Sequence, residues 1–261
     1  RRTKREVLTE LPPKQEIDLL CAMTPAQRRM YDAIAAAALA DVEERIASVG
    51  IARCGLSILP ALLRLRQAAC DPRLVDGAQP AAASAKRAAF LELVEGIARE
   101  ERRVLVFSQF TELLGLWRKD LDAMGVAYEY LDGGTRDRDG AVARFQSGSA
   151  PVFLISLKAG GTGLNLTAAD TVIHCDPWWN PAAEAQATDR AHRMGQARAV
   201  TVYRLIAKGT LEERIVALKE RKRALAEAVV AEDAGALRGL SEDDVKALLG
   251  GTEAEEDFEG E

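Results

Sequence analysis

The chain has 261 residues, 48% of them hydrophobic and 29% charged, and it carries a net charge of -5 at pH 7. This composition supports one or two packed domains. It excludes a disordered chain and a membrane-spanning one, because no apolar stretch approaches the roughly 20 residues that a transmembrane helix needs. Four cysteines without a Cys-x-x-Cys pair, together with only two histidines, argue against a zinc site and a disulfide framework.

The first 80 residues are predicted to be mainly helical. The chain starts without a signal peptide and without Met, so we expect a soluble intracellular protein and a piece of a longer one. Thr24 as N-cap and Pro25 as first residue predict one long helix, and the stretch SILPALLRLRQAACDPRLV predicts another. We interpret the whole region from Pro12 to Val75 as helical and the following stretch, DGAQPAAAS, as a linker.

After the linker, short apolar runs alternate with amphipathic helical patterns. Ser84 precedes a helix with Phe90, Val94 and Ile97 on one face. The apolar runs are VLVFS at 104–108, AYEYL at 127–131, VFLIS at 152–156, TVIHC at 171–175 and VTVYRLI at 200–206. Strands that alternate with helices predict an α/β fold with a parallel sheet and helices on both faces. The loops that follow the strands then lie along one edge, where ligands bind.

A last helix and an acidic tail complete the chain. Thr210 and Glu213 form a capping box at the start of an apolar stripe that runs to Val229. The segment from Ser241 to Glu261 contains nine acidic residues and one basic residue, a net charge of -8. The rest of the chain therefore carries a net charge of +3. We interpret the tail as a solvated, disordered segment, and the mildly basic body permits nucleic-acid binding.

A glycine-rich stretch, SLKAGGTGLNL at 156–166, follows the third apolar run, and we refer to it as the glycine loop. Glycines let a backbone approach a ligand closely, and exposed N–H groups bind phosphate oxygens. The loop lacks the Gly-Lys-Ser/Thr ending of a P-loop and the G-x-G-x-x-G spacing of a dinucleotide site. A tight turn without a ligand is the alternative. The candidate ligand-binding residues of the glycine loop are Lys158, Gly160, Gly161, Thr162, Gly163 and Asn165.

The stretch DPWWNPAAEAQATDRAHRMGQ at 176–196 holds two arginines one helical turn apart. Asn180 as N-cap and Pro181 as first residue predict a helix that runs to about Met194. Two such arginines suit the charge on a transferring phosphoryl group, with Asp189 orienting one of them, although a solvated face of ion pairs is the common alternative. The residues at positions i, i+3, i+4 and i+7 of that helix are Gln186, Asp189, Arg190 and Arg193.

Two further groups of residues lie at the ends of predicted strands. Ser108 and Gln109 stand at the end of a buried run, which is the ligand edge of the predicted sheet. We expect polar side chains at this position to contact a backbone phosphate. Of Trp178 and Trp179, at least one is expected in the core, and an exposed one would stack or wedge against bases. The sequence has neither a Walker A motif nor an acid pair for magnesium after a strand. It therefore has arginines that suit phosphate without a nucleotide cradle.

Together these residues resemble the C-terminal helicase lobe of the Swi/Snf family of DNA-translocating ATPases. VLVFSQF, LDGGTRDR, SLKAGGTGLNL, DPWWNP, RAHRMGQ and VYRLIAKGTLEERI stand in the family's order between Lys86 and Lys222. The resemblance implies a RecA-like parallel sheet with helices on both faces, preceded by a helical protrusion and followed by a brace helix. The implied domains are the lead-in and protrusion at 1–80, the lobe at 81–209, the brace helix at 210–232 and the acidic tail at 233–261.

The resemblance also implies roles for single residues. Arg190 and Arg193 would be arginine fingers, and Gln186, Asp189 and Gly163 would line the ATP cleft. ATP and Mg²⁺ would be held mainly by an N-terminal lobe outside this sequence. The residues implied to contact DNA are Ser108, Gln109, Lys158, Gly160, Gly161, Thr162, Asn165, Trp179 and Asn180.

The function that the resemblance implies is the second motor lobe of an ATP-dependent duplex-DNA translocase that remodels protein–DNA complexes. The enzyme would be a DNA-dependent ATPase, and this lobe alone would be inactive. Its partners would be duplex DNA, its own first lobe and a DNA-bound protein, with no membrane. The composition, rich in Ala, Arg and Gly, favours a bacterial protein, which would be cytoplasmic and nucleoid-associated. A eukaryotic protein would be nuclear. A non-catalytic DNA-binding or regulatory module is the alternative.

Overall fold

The computed structural model describes residues 11–49, 59–75, 83–160 and 163–226. The chain divides into two compact units. The first comprises Arg1–Leu19 with Arg87–Leu205, and the second comprises Leu20–Lys86 with Ile206–Glu261. The predicted domain boundaries at 80, 209 and 232 stay predictions, and the acidic tail lies outside the described residues.

Six strands form one sheet, in the order β1-β6-β5-β2-β4-β3. Neighbouring strands β2–β4, β2–β5, β3–β4 and β5–β6 are parallel. The central strands are buried along their whole length, as strands covered by helices on both faces must be. The predicted parallel sheet is confirmed, and all five apolar runs are strands. The strands are β1 (Lys14–Cys21), β2 (Val104–Ser108), β3 (Tyr128–Leu131), β4 (Val152–Ser156), β5 (Thr171–His174) and β6 (Val200–Ala207).

The helices in the described part of the chain follow the predicted alternation. In the fourth of them Leu113, Trp117 and Leu121 are fully buried, and the helix ends at Gly125, whose φ of 69° is the left-handed value that glycine adopts readily. None of the described helices is long and apolar enough to cross a bilayer. The helices are α1 (Pro25–Val49), α2 (Leu59–Cys70), α3 (Ala85–Arg99), α4 (Thr111–Met124), α5 (Arg138–Ser147), α6 (Leu157–Gly160), α7 (Pro181–Thr188) and α8 (Leu211–Ala226).

The strand β1 corrects the prediction that the region from Pro12 to Val75 is entirely helical. Its less exposed residues Ile17, Leu19 and Cys21 occur at every second position, which is the period of a strand, while Leu20 between them is exposed. Pairing with β6 stabilises the strand: Val200 N–H donates to the Pro13 carbonyl at 3.0 Å at the start of the pair. This partner lies far away in the sequence, so local pattern alone does not show it. The two helices predicted in this region, α1 and α2, are confirmed.

A buried ion pair lies at the centre of the second unit. Lys86 Nζ lies 2.5 Å from Glu212 Oε2, and neither side chain is exposed to solvent. The same carboxylate oxygen accepts the Ala207 N–H at 2.8 Å, and Cys70 Sγ donates to the other oxygen at 3.6 Å. The pair therefore joins the start of α8 to the start of α3 and the end of α2.

Candidate functional site

The candidate residues lie where neighbouring strands end. Because β2 pairs in parallel with both β4 and β5, its last residues are level with theirs: Ser108 is opposite Ser156, and Phe107 is opposite His174. The loops that follow these three strands therefore leave the same edge of the sheet. This edge is where ligands bind in open parallel sheets.

The turn after β2 is fixed by an acid that the sequence analysis did not single out. Ser108 is buried, and its hydroxyl donates to Asp176 Oδ1 at 2.6 Å. The same oxygen accepts the Gln109 N–H at 3.3 Å, while Ser108 Oγ accepts the Phe110 N–H at 3.0 Å. An acidic residue directly after a buried apolar run was the signal available for Asp176. The Ser108 hydroxyl is thus engaged within the chain, and its predicted DNA contact stays a prediction.

The Gln109 side chain has a different environment. Its amide nitrogen is buried and has no hydrogen-bond partner among the described residues. A buried amide without a partner loses the free energy of its hydrogen bonds, so such groups are uncommon in folded proteins. The Gln109 amide nitrogen is therefore a donor that no described residue uses, and its predicted DNA contact stays a prediction.

The glycine loop begins with the short helix α6, which packs against β2. Gly160 is buried, and a Cβ at this position would lie 2.8 Å from Cε1 of the Phe107 ring. The ring is itself buried and stacks on His174. Close packing inside the lobe therefore explains Gly160 without a ligand. By contrast Lys158, Gly163 and Asn165 are exposed, and Gly161 and Thr162 lie outside the described residues.

Replacement of Gly160 by Ala is expected to lower the free energy of unfolding by about 1–3 kcal/mol, because the added methyl group overpacks the Phe107 ring. Urea unfolding of the chain measures this loss. Gly163→Ala is the matched control, since a Cβ there meets no atom within 4 Å and no stability change beyond about 0.5 kcal/mol is expected. Equal stabilities for the two variants would contradict the packing role of Gly160.

The arginine-bearing helix is shorter than predicted. It ends at Thr188, and the predicted extension to Met194 is wrong. The Arg190 carbonyl, which would accept a helical N–H four residues on, accepts the Leu166 N–H instead at 3.0 Å. The departure from the helical pattern starts before this contact, because the Arg190 N–H already donates to the Ala187 carbonyl, three residues back, at 3.1 Å. The predicted single helix face is therefore also wrong, because its last three members follow the helix in a segment that we call the arginine loop, residues 189–196. The residues assigned to that face are Gln186, Asp189, Arg190 and Arg193.

The two arginines nevertheless remain close to each other and to the glycine loop. Arg190 is 8% exposed, and its pKa is lowered first by burial and then by the positive charge of Arg193, while Asp189 acts in the opposite direction. Arg193 is partly buried and donates from Nη1 to the Leu164 carbonyl at 3.4 Å. Gln186 is exposed. A nearly buried cation next to a second cation is an environment that an incoming anion would stabilise.

The segment between β5 and α7 carries the tryptophans. Asn180 caps the helix, as predicted, by accepting the Ala182 N–H at 2.9 Å. The Trp178 N–H donates to the buried Glu184 at 2.5 Å. Both Trp178 and Trp179 are partly buried, so neither is a fully buried core residue. Both residues therefore keep part of their surface exposed to solvent, and their predicted DNA contact stays a prediction.

Comparison with known proteins shows which family has this arrangement. The family model described as helicase conserved C-terminal domain matches residues 85–195, and the one described as SNF2-related domain matches residues 1–74. The solved C-terminal domain of the Sulfolobus solfataricus SWI2/SNF2 ATPase is 30% identical to the chain with a TM-score of 0.74, covering 92% of this chain and 99% of that one. The chain belongs to the Swi/Snf ATPase family.

Two further matches concern proteins that are longer than this chain. The Sulfolobus solfataricus SWI2/SNF2 ATPase core, solved in complex with dsDNA, is 31% identical with a TM-score of 0.77, over 97% of this chain and 54% of that one. A Mycoplasma pneumoniae protein named as an uncharacterized ATP-dependent helicase is 36% identical over 95% of this chain and 24% of its own length. The chain thus spans about a quarter of the length of the curated relatives that it matches.

The Swi/Snf assignment raises the question of whether these residues fit ATP and its metal ion. Arg190 and Arg193 supply the fixed guanidinium donors that phosphate oxygens accept. Mg²⁺ takes oxygen ligands, above all carboxylates, and nowhere in the described ranges is there a group of three or more His, Cys, Asp or Glu side chains placed to hold a metal ion. The described residues of this Swi/Snf lobe therefore fit nucleotide phosphates and do not fit a metal ion.

Proposed function

We propose that the chain is the C-terminal motor lobe of an ATP-dependent translocase that moves along duplex DNA and remodels protein–DNA complexes. Its family supports ATP-driven motor activity, and the relative solved with dsDNA supports duplex DNA as the track. The contact between Arg193 and the Leu164 carbonyl carries the proposal, because it puts the arginine loop directly against the glycine loop. Two groups of phosphate-binding residues therefore meet at one edge of the sheet.

The arginine loop serves the nucleotide in this proposal. Arg190 and Arg193 act as arginine fingers on the phosphates of an ATP molecule that the first lobe holds together with Mg²⁺. Gln186, Asp189 and Gly163 line the same cleft. Positive charge held in place before the reaction stabilises the charge that develops on the transferring phosphoryl group. Without the first lobe these arginines have no nucleotide to act on, so the lobe alone is expected to be inactive.

The DNA-binding residues lie on the neighbouring loops. Lys158 and Asn165 are exposed on the glycine loop and accessible to a phosphate backbone, and Gly161 and Thr162 belong to the same loop. Gly160 supports these contacts indirectly, because it lets the start of the loop pack on Phe107. Gln109 adds its amide from the end of β2, beside Ser108, and Trp179 and Asn180 add a ring and an amide from the segment before α7. Contacts of this kind hold the backbone without reading its sequence.

ATP turnover with and without duplex DNA tests the proposed function. In a protein that carries both lobes, duplex DNA is expected to stimulate hydrolysis, whereas the present chain alone shows none above a mock preparation. Turnover by this chain alone would refute its dependence on the first lobe. DNA binding without any turnover in the two-lobed protein would favour a non-catalytic DNA-binding or regulatory module.

Replacement of Lys158 by Ala is expected to weaken binding about equally for all duplex sequences and to reduce the slope of log K against log salt by about one unit, because one phosphate contact is lost. Fluorescence anisotropy with two unrelated duplexes, at several salt concentrations, measures both effects. Lys119→Ala removes the same charge from an exposed position on α4 and should leave the slope unchanged. A loss confined to one duplex sequence would contradict a phosphate role for Lys158.

A further inference from the structure

The segment 164–169, which comprises the end of the glycine loop and the three residues after it, is bonded to the arginine loop at several points. The Leu166 N–H donates to the Arg190 carbonyl at 3.0 Å. Arg193 Nη1 donates to the Leu164 carbonyl at 3.4 Å. These bonds connect the loop that carries the proposed DNA contacts with the loop that carries the proposed arginine fingers. A displacement of one loop therefore acts directly on the other.

The Gln196 side chain makes the densest part of this connection. Gln196 is 8% exposed, and its Nε2 donates to the carbonyls of Ala169 at 2.7 Å, Ala191 at 3.1 Å and Thr167 at 3.2 Å. Because all three partners are carbonyl acceptors, the amide orientation is fixed, with the nitrogen facing them. Its Oε1 accepts the Arg198 N–H at 2.9 Å, which holds the side chain from the other end. One amide thus connects the arginine loop, to which Gln196 and Ala191 belong, with the segment 164–169.

We propose that Gln196 is a positioning residue that couples DNA binding to ATP hydrolysis. The proposal rests on the function proposed above. A phosphate backbone that binds the glycine loop fixes residues 164–169, and the Gln196 amide passes this restraint to Ala191, between the two arginines. The arginines are then held where the ATP phosphates arrive. Without the amide, DNA still binds and the arginines are still present, but binding no longer orders the arginine loop.

A second glutamine provides the matched comparison. Gln146 lies on α5, and its Oε1 accepts the Ala168 N–H at 3.0 Å. It therefore anchors the same segment, 164–169, but this bond connects the segment to α5 and not to the arginine loop. Replacing either glutamine by Met keeps the size of the side chain and removes its hydrogen bonds. Only the Gln196 variant removes a connection between the two loops.

The first experiment measures turnover of the two-lobed protein with and without saturating duplex DNA, in wild type, Gln196→Met and Gln146→Met. We expect the ratio of DNA-stimulated to basal turnover to fall at least about fivefold in Gln196→Met, the usual size of an energetic coupling between sites, with basal turnover and DNA affinity within about twofold of wild type. Gln146→Met should keep the wild-type ratio. An unchanged ratio in Gln196→Met overturns the proposal. So does an equal fall in both variants, which would mean that loosening the segment alone explains the loss.

A conservative variant separates coupling from folding. Gln196→Glu keeps the Oε1 acceptor and, when protonated, one O–H donor toward the three carbonyls. Its stimulation ratio, taken relative to wild type at each pH, should rise as the pH falls from about 8 to 6, because burial among carbonyls raises the pKa of a carboxyl group. Gln196→Met should show no such rise. A ratio that stays equally low for both variants over this range counts against the hydrogen bond.

Hydrogen exchange on the chain itself gives a readout that does not depend on ATP. Duplex DNA should slow exchange of the Arg190, Ala191 and His192 amides in wild type and in Gln146→Met, but not in Gln196→Met at equal DNA occupancy. Slowing in all three chains overturns the coupling role. If wild type binds DNA and shows this slowing, yet the two-lobed protein has no DNA-stimulated turnover, the proposed function fails while the connection between the loops stands.

Discussion

Replacement of Arg193 by Ala is expected to reduce DNA-stimulated ATP turnover of the two-lobed protein by about 10³-fold or more, the range by which arginine fingers accelerate phosphoryl transfer. The guanidinium contributes in the transition state, where charge spreads over the phosphoryl oxygens, so the loss falls on turnover rather than on nucleotide binding. Duplex-DNA affinity should stay within about twofold of wild type, because Arg193 is assigned to the nucleotide and the loops stay connected through the bond from the Leu166 N–H to the Arg190 carbonyl.

A steady-state ATPase assay with saturating duplex DNA measures this loss, and DNA anisotropy on the same preparations reports affinity. Arg198→Ala is the matched control: this arginine lies just beyond the arginine loop, its side chain is 66% exposed, and it pairs with Asp170. It should keep wild-type turnover. Strong turnover in Arg193→Ala would support the motor function but contradict the assignment of Arg193 as the arginine finger, and Arg190 would be the next candidate. Loss in the control as well would point to distortion of the loop.

The regular part of the fold was predictable because its signals are local. The runs at 104–108 and 152–156 are apolar along their whole length, which a strand covered on both faces requires, and both are strands. The helix α4 shows the same agreement, since its buried residues recur with the helical period and Gly125 ends it. In each case the residues of one short stretch are enough to predict its secondary structure, without knowledge of distant contacts.

The incorrect predictions concern residues whose conformation depends on distant partners. The strand β1 forms against β6, and the residues beyond α7 form a loop whose Arg190 carbonyl accepts the Leu166 N–H from the glycine loop. Asp176 and Gln196 were not singled out for the same reason, because the partner of Asp176 is Ser108 and Gln196 donates to the carbonyls of Thr167 and Ala169. The residue types at the edge of the sheet were readable from sequence, but the bonds that connect their loops are tertiary.

The buried ion pair between Lys86 and Glu212 gives the largest expected effect on stability. Replacing Lys86 by Met should lower the free energy of unfolding by about 3–5 kcal/mol, because it leaves a fully buried carboxylate without its counter-ion. The remaining bonds to Glu212, from Ala207 N–H and Cys70 Sγ, come from neutral donors and do not replace the charge of the lysine. Urea unfolding followed by both fluorescence and circular dichroism measures the loss and checks that the transition is two-state.

The double variant Lys86→Met/Glu212→Gln separates the cost of an unpaired charge from the net worth of the pair. The side-chain amide that replaces the carboxylate still offers an acceptor to the Ala207 N–H, and no charge remains buried. We therefore expect the double variant to recover most of the stability lost in Lys86→Met, since neutral groups of similar size often replace a buried pair at little cost. Arg99→Ala, which removes an exposed pair with Glu95, should cost less than about 0.5 kcal/mol. A double variant as unstable as Lys86→Met would instead mean that the junction of α2, α3 and α8 depends on the attraction between the two charges.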